Sequence, residues 1–388
     1  MSDAANPYDA SHIQVLEGPE AIRMRPGMYI GSTGQRGLHH MVFDIAGRAV
    51  NEVLAGRATS VDVTLTPDGG VRVADDGPGV PIEATGDAVG PGLEALLTRM
   101  HAGTQPSGRH AVATSLFGVG PCVTNALSSR LKAEVRREGV CWVQEYVRGV
   151  ALTPPTSAGP TTTTGTTITF WPDTDVFGTV ECSFAVLAER FRELAFLNRG
   201  LDISLTDERP AAEPRSLRCR FLDGARGFVA FLDAHAGAPV HPDVIGFERV
   251  EPRIAGTVEV ALRWGRSHGE RLHSYANSEP TPDGGTHTAG FRDGLATAVN
   301  KHLRERRVLA ESAPDLSAEQ VGDGLTAVVS VKLDRPEFSG STRGRPAGAA
   351  VRAGVAQAVR DHLRTWLDRN PAQAAAIADR IIHGAHHG

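Results

Sequence analysis

The stretch that most constrains this chain is Leu38 to Gly56, LHHMVFDIAGRAVNEVLAG. Val42, Ile45, Ala49 and Val53 recur at spacings of three and four, which predicts an amphipathic helix with one stripe facing a core. Asp44, Arg48 and Glu52 recur at i, i+4 and i+8 and so share another face. A carboxylate, a cation and a carboxylate in that row read two ways. They form either a ligand site or an ion-pair ladder on a solvated surface, and the rest of the chain decides between them.

Beyond this helix, Val61, Val63 and Leu65 alternate, as do Val71 and Val73, and Asp68-Gly69-Gly70 between them predicts a hairpin turn. The second strand runs into Asp75-Asp76-Gly77-Pro78-Gly79-Val80-Pro81, which sets a carboxylate beside backbone that a flat ligand can approach closely. The same residues are also common turn formers. From Gly90 a loop-like segment leads to Leu116-Phe117-Gly118-Val119-Gly120, and Pro121 then opens a short helix to Leu127. A glycine-rich loop entering a helix is a candidate phosphate cradle, because free N–H groups and the helix dipole point at the ligand.

Strands are expected at Leu131–Arg136, Val140–Val147 and Thr166–Phe170, the last ended by Trp171-Pro172, with 151–167 read as a low-complexity loop. An amphipathic helix Ser183–Leu197 and a strand Leu201–Leu205 precede the polar, proline-bearing run Asp207–Ser216, the best candidate boundary. The second half shows strands near Val258–Trp264 and Leu325–Val331, and a helix from about Ala289 to Arg306 after Asp283-Gly284-Gly285-Thr286-His287. A polar loop from Asp334 to Pro346, a helix Ala347–Arg369 and a shorter helix after Pro371 complete it.

At 388 residues, 41% hydrophobic and 22% charged, the chain suits a globular protein of two domains, each with its own core. A net charge of −5 excludes a global basic field for nucleic acid, so any such contact is a local patch. Cys122, Cys141, Cys182 and Cys219 show no CxxC spacing and suit unpaired thiols in a reducing cytoplasm. No apolar run approaches the roughly 18 residues of a membrane span, and the N-terminus is polar, so neither a spanning segment nor a secretion signal is expected.

The order of motifs resembles the N-terminal ATPase fragment of bacterial type II topoisomerases, the DNA gyrase B family. SHIQVLEGPEAIRMRPGMYIG, LHHMVF, DDGPGVP, LFGVG, TGTTITFWP, LAFLNRG, DGGTHTAGFR and GLTAVVSVK all fall in family order over nearly the whole chain. The resemblance implies an α/β fold: an N-terminal arm over 1–18, an ATP-binding domain of the gyrase, histidine-kinase and MutL type over 19–216, and a βαβ transducer domain over 217–388. The family's metal-binding cleavage domain, marked by EGDSAGG together with DxD, is not found in this sequence, so no DNA cleavage is expected of this chain by itself.

By the same resemblance Asp75 accepts the adenine amino group, Gly79 lets the base lie on backbone, and Thr166 faces the adenine pocket. Gly118, Val119 and Gly120 give N–H groups to phosphates. Arg137 matches a pocket-rim arginine that binds aminocoumarin inhibitors, which also use Asp75 and Thr166. Tyr8 and Ile13 match the arm that embraces a second subunit and closes over its nucleotide, which implies a homodimer with Tyr8 at the cofactor, and Arg292 matches an arginine lining a DNA passage. ATP is the implied cofactor, and DNA, other gyrase subunits and an aminocoumarin-type inhibitor are the implied partners.

Departures from the pattern bear on chemistry. The family's general base is glutamate, and here it is Asp44, one methylene shorter. The family's Mg²⁺-ligating asparagine is Arg48, which has no lone pair for a metal. It can contact phosphates or pair with Asp44 or Glu52. Gly47 replaces an aspartate and Pro78 an arginine. HAGGKF reads His101-Ala102-Gly103-Thr104-Gln105-Pro106, GGLHGVG reads Thr114-Ser115-Leu116-Phe117-Gly118-Val119-Gly120, and QTK reads Ser341-Thr342-Arg343. Arg343 keeps the charge but not the compact ammonium at the γ-phosphate. Two functions follow as expectations. One is an ATPase clamp that closes on nucleotide and reopens on slow hydrolysis; the other is a binding module that holds nucleotide, a gyrase inhibitor or gyrase without turnover. The altered residues favour the second and argue against bound Mg²⁺.

Overall fold

The computed structural model describes residues 17–83, 92–102, 112, 119–210, 215–234, 237–339 and 345–385. Tyr8, Ile13, Gly118, Arg343 and the altered positions Thr104 and Phe117 lie outside them. Two short helices, α1 (Gly18–Met24) and α2 (Gly27–Ile30), lead into α3 (Gln35–Leu54), the helix read from the sequence. The hairpin β1 (Ser60–Leu65) and β2 (Val71–Asp75) follows, its turn closed by Thr66 N–H donating to Gly70 O at 2.9 Å. Helices α4 (Leu93–Thr98) and α5 (Cys122–Ala126) precede β3 (Ser128–Arg137), β4 (Val140–Val147), β5 (Val150–Ala151), β6 (Thr156–Pro160) and β7 (Gly165–Pro172). Helix α6 (Phe184–Leu197), capped by Ser183, leads to β8 (Asp202–Asp207) and β9 (Arg215–Cys219).

Among the described residues these strands form one nine-stranded sheet in the order β5-β4-β3-β7-β2-β1-β8-β9, with β6 paired to β4. Helix α3 lies against it because its apolar stripe meets the inward side chains of the hairpin. Leu38, Met41, Val42, Ile45 and Ala49 share a buried core with Val61, Val63, Leu65, Val71 and Val73. Burial on this scale, at roughly 25 cal/mol per Å² of apolar area, is what holds the helix on the sheet.

The structure corrects the sequence expectation in three places. Residues 151–167 are not wholly loop: β6 adds to the edge of the sheet through Val140–Val143. Trp171-Pro172 does not end β7, because both residues lie in the strand and pair with β3. Strand β9 runs across residues 216 and 217, where the division was expected, so the first sheet continues to Cys219.

The second sheet begins after α7 (Gly224–Asp233). Its strands are β10 (Ile245–Glu251), β11 (Gly256–Trp264), β12 (Arg271–Ala276), β13 (Glu279–Pro280) and β14 (Leu325–Leu333), ordered β10-β11-β14-β12-β13. Helices α8 (Thr286–Glu305), α9 (Ala318–Gly322), α10 (Ala349–Arg369) and α11 (Pro371–Ala385) cover it, around a core of Trp264, Phe291, Leu295, Val329 and Leu363.

The two halves are joined by a packed, hydrogen-bonded seam. Phe196 at the end of α6 stacks on Phe221 and Phe228, with ring centroids 3.7 and 4.9 Å apart. Lys332 on β14 donates to Leu197 O at 2.8 Å and to Asn198 Oδ1 at 3.1 Å, satisfying acceptors at the α6 C-terminus. Arg190 reaches the other way, donating to Ser278 O at 2.9 Å and Glu279 Oε1 at 2.8 Å.

Candidate functional site

The first sheet and α3 bring together residues far apart in the chain. In the strand register Asp75, the last residue of β2, lies opposite Thr166 of β7. Asp75 is almost fully buried, and its Oδ1 accepts from Gly77 N–H at 3.0 Å. Thr166 is buried too, and its hydroxyl accepts from Val80 N–H at 3.1 Å, pinning the loop after β2 to β7. Gly79 has φ +79, and a Cβ there would stand 2.8 Å from Arg136 O. Gly165 has φ +143, and a Cβ there would stand 2.2 Å from Asp75 O. Both positions therefore require glycine. Arg137 closes this edge, donating from Nη1 to Gly79 O at 3.0 Å and from Nε to Glu138 Oε1 at 2.9 Å.

The cation on α3 takes an unexpected partner. Arg48 Nη2 pairs with Asp75 Oδ2, the carboxylate that the family pattern gives to adenine, and not with Asp44 or Glu52 on its own helix. Glu52 is already held by Arg57, with Nε at 2.8 Å and Nη2 at 3.1 Å. Burial raises the Glu52 pKa, but the Arg57 hydrogen bond and the charges of Arg48 and Arg57 outweigh it and leave the carboxyl below its usual range. Asp44 points inward instead, 3% exposed, accepting from Thr124 Oγ1 at 3.4 Å. Among the described residues its other oxygen, Oδ1, has no partner, and neither does the buried Nε of Arg48. Burial pushes the Asp44 pKa up to about 8, against a small opposing effect of the Thr124 hydroxyl, so at neutral pH the group is mostly a carboxylic acid. Cys122, nearby, is raised to about 12 by burial and by the Asp44 charge.

Val119 and Gly120 sit at the entrance to α5, with Val119 O accepting from His101 N–H at 2.9 Å. Asn51, one turn beyond Gly47 and Arg48, grips Val112 on both sides: its Nδ2 donates to Val112 O at 3.1 Å and its Oδ1 accepts from Val112 N–H at 2.9 Å. Sequence reading passed over both Asn51 and Thr124. A polar amide on the helix that carries Asp44 and Arg48 was the available signal for the first; nothing in the local pattern pointed from Thr124 to Asp44, which lies 80 positions away.

Arg292 belongs to the other half. It lies exposed on α8 and donates from Nε to Glu270 Oε2 at 3.1 Å. It lines a cavity of about 500 Å³ with Glu193, His273, Tyr275, Asp283 and Arg345.

At the α3 position where the family pattern has a metal-ligating asparagine stands Arg48, whose guanidinium has no lone pair to offer a divalent cation and is turned to Asp75. For a flat base with a donor group the framework does fit: carboxylate, hydroxyl and side-chain-free backbone converge around Asp75, Thr166 and Gly79.

Residues 33–176 match the model of the histidine kinase-, DNA gyrase B- and HSP90-like ATPases, and residues 224–387 match that of DNA gyrase B. The 43K ATPase domain of Thermus thermophilus gyrase B, solved in complex with an aminocoumarin, superposes with a TM-score of 0.76 at 31% identity, over 95% of this chain and 94% of that one. The chain belongs to the DNA gyrase B family. The DNA gyrase B protein of Streptomyces coelicolor is 44% identical over 99% of the chain, and the novobiocin-resistant gyrase B protein of Streptomyces niveus is 42% identical over 97%. The chain spans 58% of the length of each of these two relatives. Its two sheets are thus the ATPase fold of that family and a transducer-like domain. No described helix is long and apolar enough to cross a membrane.

Proposed function

We propose that this chain is the nucleotide-binding and transducing part of a gyrase-B-type clamp, holding an adenine nucleotide but hydrolysing it slowly or not at all. The observation that carries this reading is the pairing of Arg48 with Asp75, together with a buried Asp44 whose Oδ1 finds no partner among the described residues. Asp75, Thr166 and Gly79 take the base, Val119 and Gly120 with Gly118 take phosphates, and Arg343 approaches the γ-phosphate. Asp44 is a poor general base on two counts. Its carboxyl is one methylene short, and its raised pKa leaves it mostly protonated at pH 7. General-base assistance is typically worth about 10²–10⁴ in rate and needs hydrogen-bond reach to the water.

Two copies are joined through the arm that carries Tyr8 and Ile13, and Arg292 faces a DNA segment. The aminocoumarin in the Thermus structure suggests a ligand for the same pocket here, using Asp75, Thr166 and Arg137. The test is phosphate release by the unmodified chain and by Asp44→Glu, Arg48→Asn and their double variant. With Mg²⁺ present, each single change is expected to recover little, while the double change exceeds their product, since a base and a metal would act on one transition state. Brisk turnover by the unmodified chain would end this reading. No gain in the double variant would move the defect to Gly47 or to the altered loop between Thr104 and Phe117.

A further inference from the structure

The pairing of Arg48 with Asp75 determines which ligands the pocket can admit. Asp75 is nearly inaccessible, and both its oxygens are engaged, Oδ1 by Gly77 N–H and Oδ2 by the Arg48 guanidinium. A neutral amine donor such as the amino group of a bare nucleoside must therefore compete with a charge-assisted hydrogen bond roughly twice as strong as its own. Moving the guanidinium away without a replacement anion would strand two charges in a largely dry place. No carboxylate on α3 offers that replacement. Glu52 is occupied by Arg57 on two atoms, and Asp44 turns away toward Thr124. The Arg48 Nε is also buried without an acceptor among the described residues. A tetrahedral anion contacted by Nε and Nη2 together would satisfy that donor and release Asp75 in one movement.

We propose that Arg48 makes this pocket selective for anionic adenine ligands: phosphate must draw the guanidinium off Asp75 before the base can bind there. This rests on the nucleotide reading above and adds the ligand class. A nucleoside, or a neutral inhibitor that needs Asp75, meets a closed carboxylate; a nucleotide brings its own key. The family's metal is not needed for this step, because the resident cation belongs to the chain.

The experiment is calorimetric titration of the whole chain with adenosine, AMP and ATP, without divalent metal and at fixed ionic strength. It compares the unmodified protein with Arg48→Asn and Arg48→Lys. The unmodified chain is expected to bind ATP far more tightly than adenosine. In Arg48→Asn the adenosine affinity should rise about ten- to a hundredfold, the range of one hydrogen bond to a charged group, while ATP affinity falls. Arg48→Lys keeps a cation and should keep adenosine excluded, while losing part of the grip on ATP; it also serves if Arg48→Asn fails to fold. Both ligands bound by every variant with an unchanged ratio would overturn the selectivity role and leave the nucleotide reading intact. No binding of any ligand to any folded variant would overturn both.

Discussion

Replacing Asp44 by asparagine tests the account of the buried carboxyl through stability rather than activity. Asp44 is 3% exposed, with one oxygen unpartnered among the described residues and the other 3.4 Å from the Thr124 hydroxyl. Its pKa lies near 8 in the folded chain against 3.8 ordinarily. The folded value is the higher one, so stability is full below about pH 3.8 and is lost as pH rises toward 8, because the unfolded chain releases a proton that the folded chain retains. Each pH unit inside this window costs a little over about 1 kcal/mol, so going from pH 5 to 7 removes roughly 2–3 kcal/mol through this one group. Asp44→Asn carries no titrating proton and still offers Thr124 an acceptor. Urea denaturation of both proteins from pH 5 to 8 should therefore give stability curves that diverge by roughly 2–3 kcal/mol between pH 5 and 7. His40, His241 and His287, whose pKa values burial lowers to about 4, titrate alike in both proteins and cancel in the difference. Parallel curves would mean that Asp44 is solvated or paired in solution, and the argument against it as a base at neutral pH would lose its basis.

Asp75→Asn should abolish binding of adenine nucleotide and aminocoumarin together. It should also destabilise the fold by an amount near the low end of roughly 3–5 kcal/mol, because the stranded Arg48 keeps some solvent; calorimetry and a thermal melt check the two effects. Arg137→His should weaken only the aminocoumarin, seen in the same titration. Lys332→Met removes two hydrogen bonds that tie β14 to the end of α6, at 2.8 and 3.1 Å. It should cost about 1–3 kcal/mol and split a single calorimetric unfolding transition into two; one unshifted transition would show the aromatic stack alone suffices. Deleting residues 1–15 should weaken self-association measured by light scattering, and an equally tight dimer without the arm would refute its role.

The fold was legible where pattern and burial agree. The three- and four-residue spacing from Val42 to Val53 belongs to a helix packed on one sheet face, and the alternation around Asp68-Gly69-Gly70 belongs to a hairpin whose inward valines fill that core. Strand β6 was missed because Thr156–Pro160 is exposed on most positions and owes its shape to the edge of β4, not to its own composition. Strand β12 was missed for a related reason: Arg271–Ser274 are all half-buried, so no alternation appears. Asp75, Gly79 and Thr166 were readable as candidates because they sit in recognisable motifs, and the strand register sets Asp75 opposite Thr166. Their partners were not. Spacing along α3 offers Arg48 only Asp44 and Glu52, whereas the sheet brings Asp75, 27 positions away, within reach of its guanidinium.

In the proposed function a resident arginine, Arg48, takes the place of the metal, and Asp44 does not act as a base at neutral pH. Titrating the unmodified chain with ATP at pH 7, with and without excess Mg²⁺, while following phosphate release in the same samples, tests this most directly. ATP affinity should be left essentially unchanged by Mg²⁺, with little or no phosphate released. Tight binding only with Mg²⁺, accompanied by brisk release of phosphate, would contradict it.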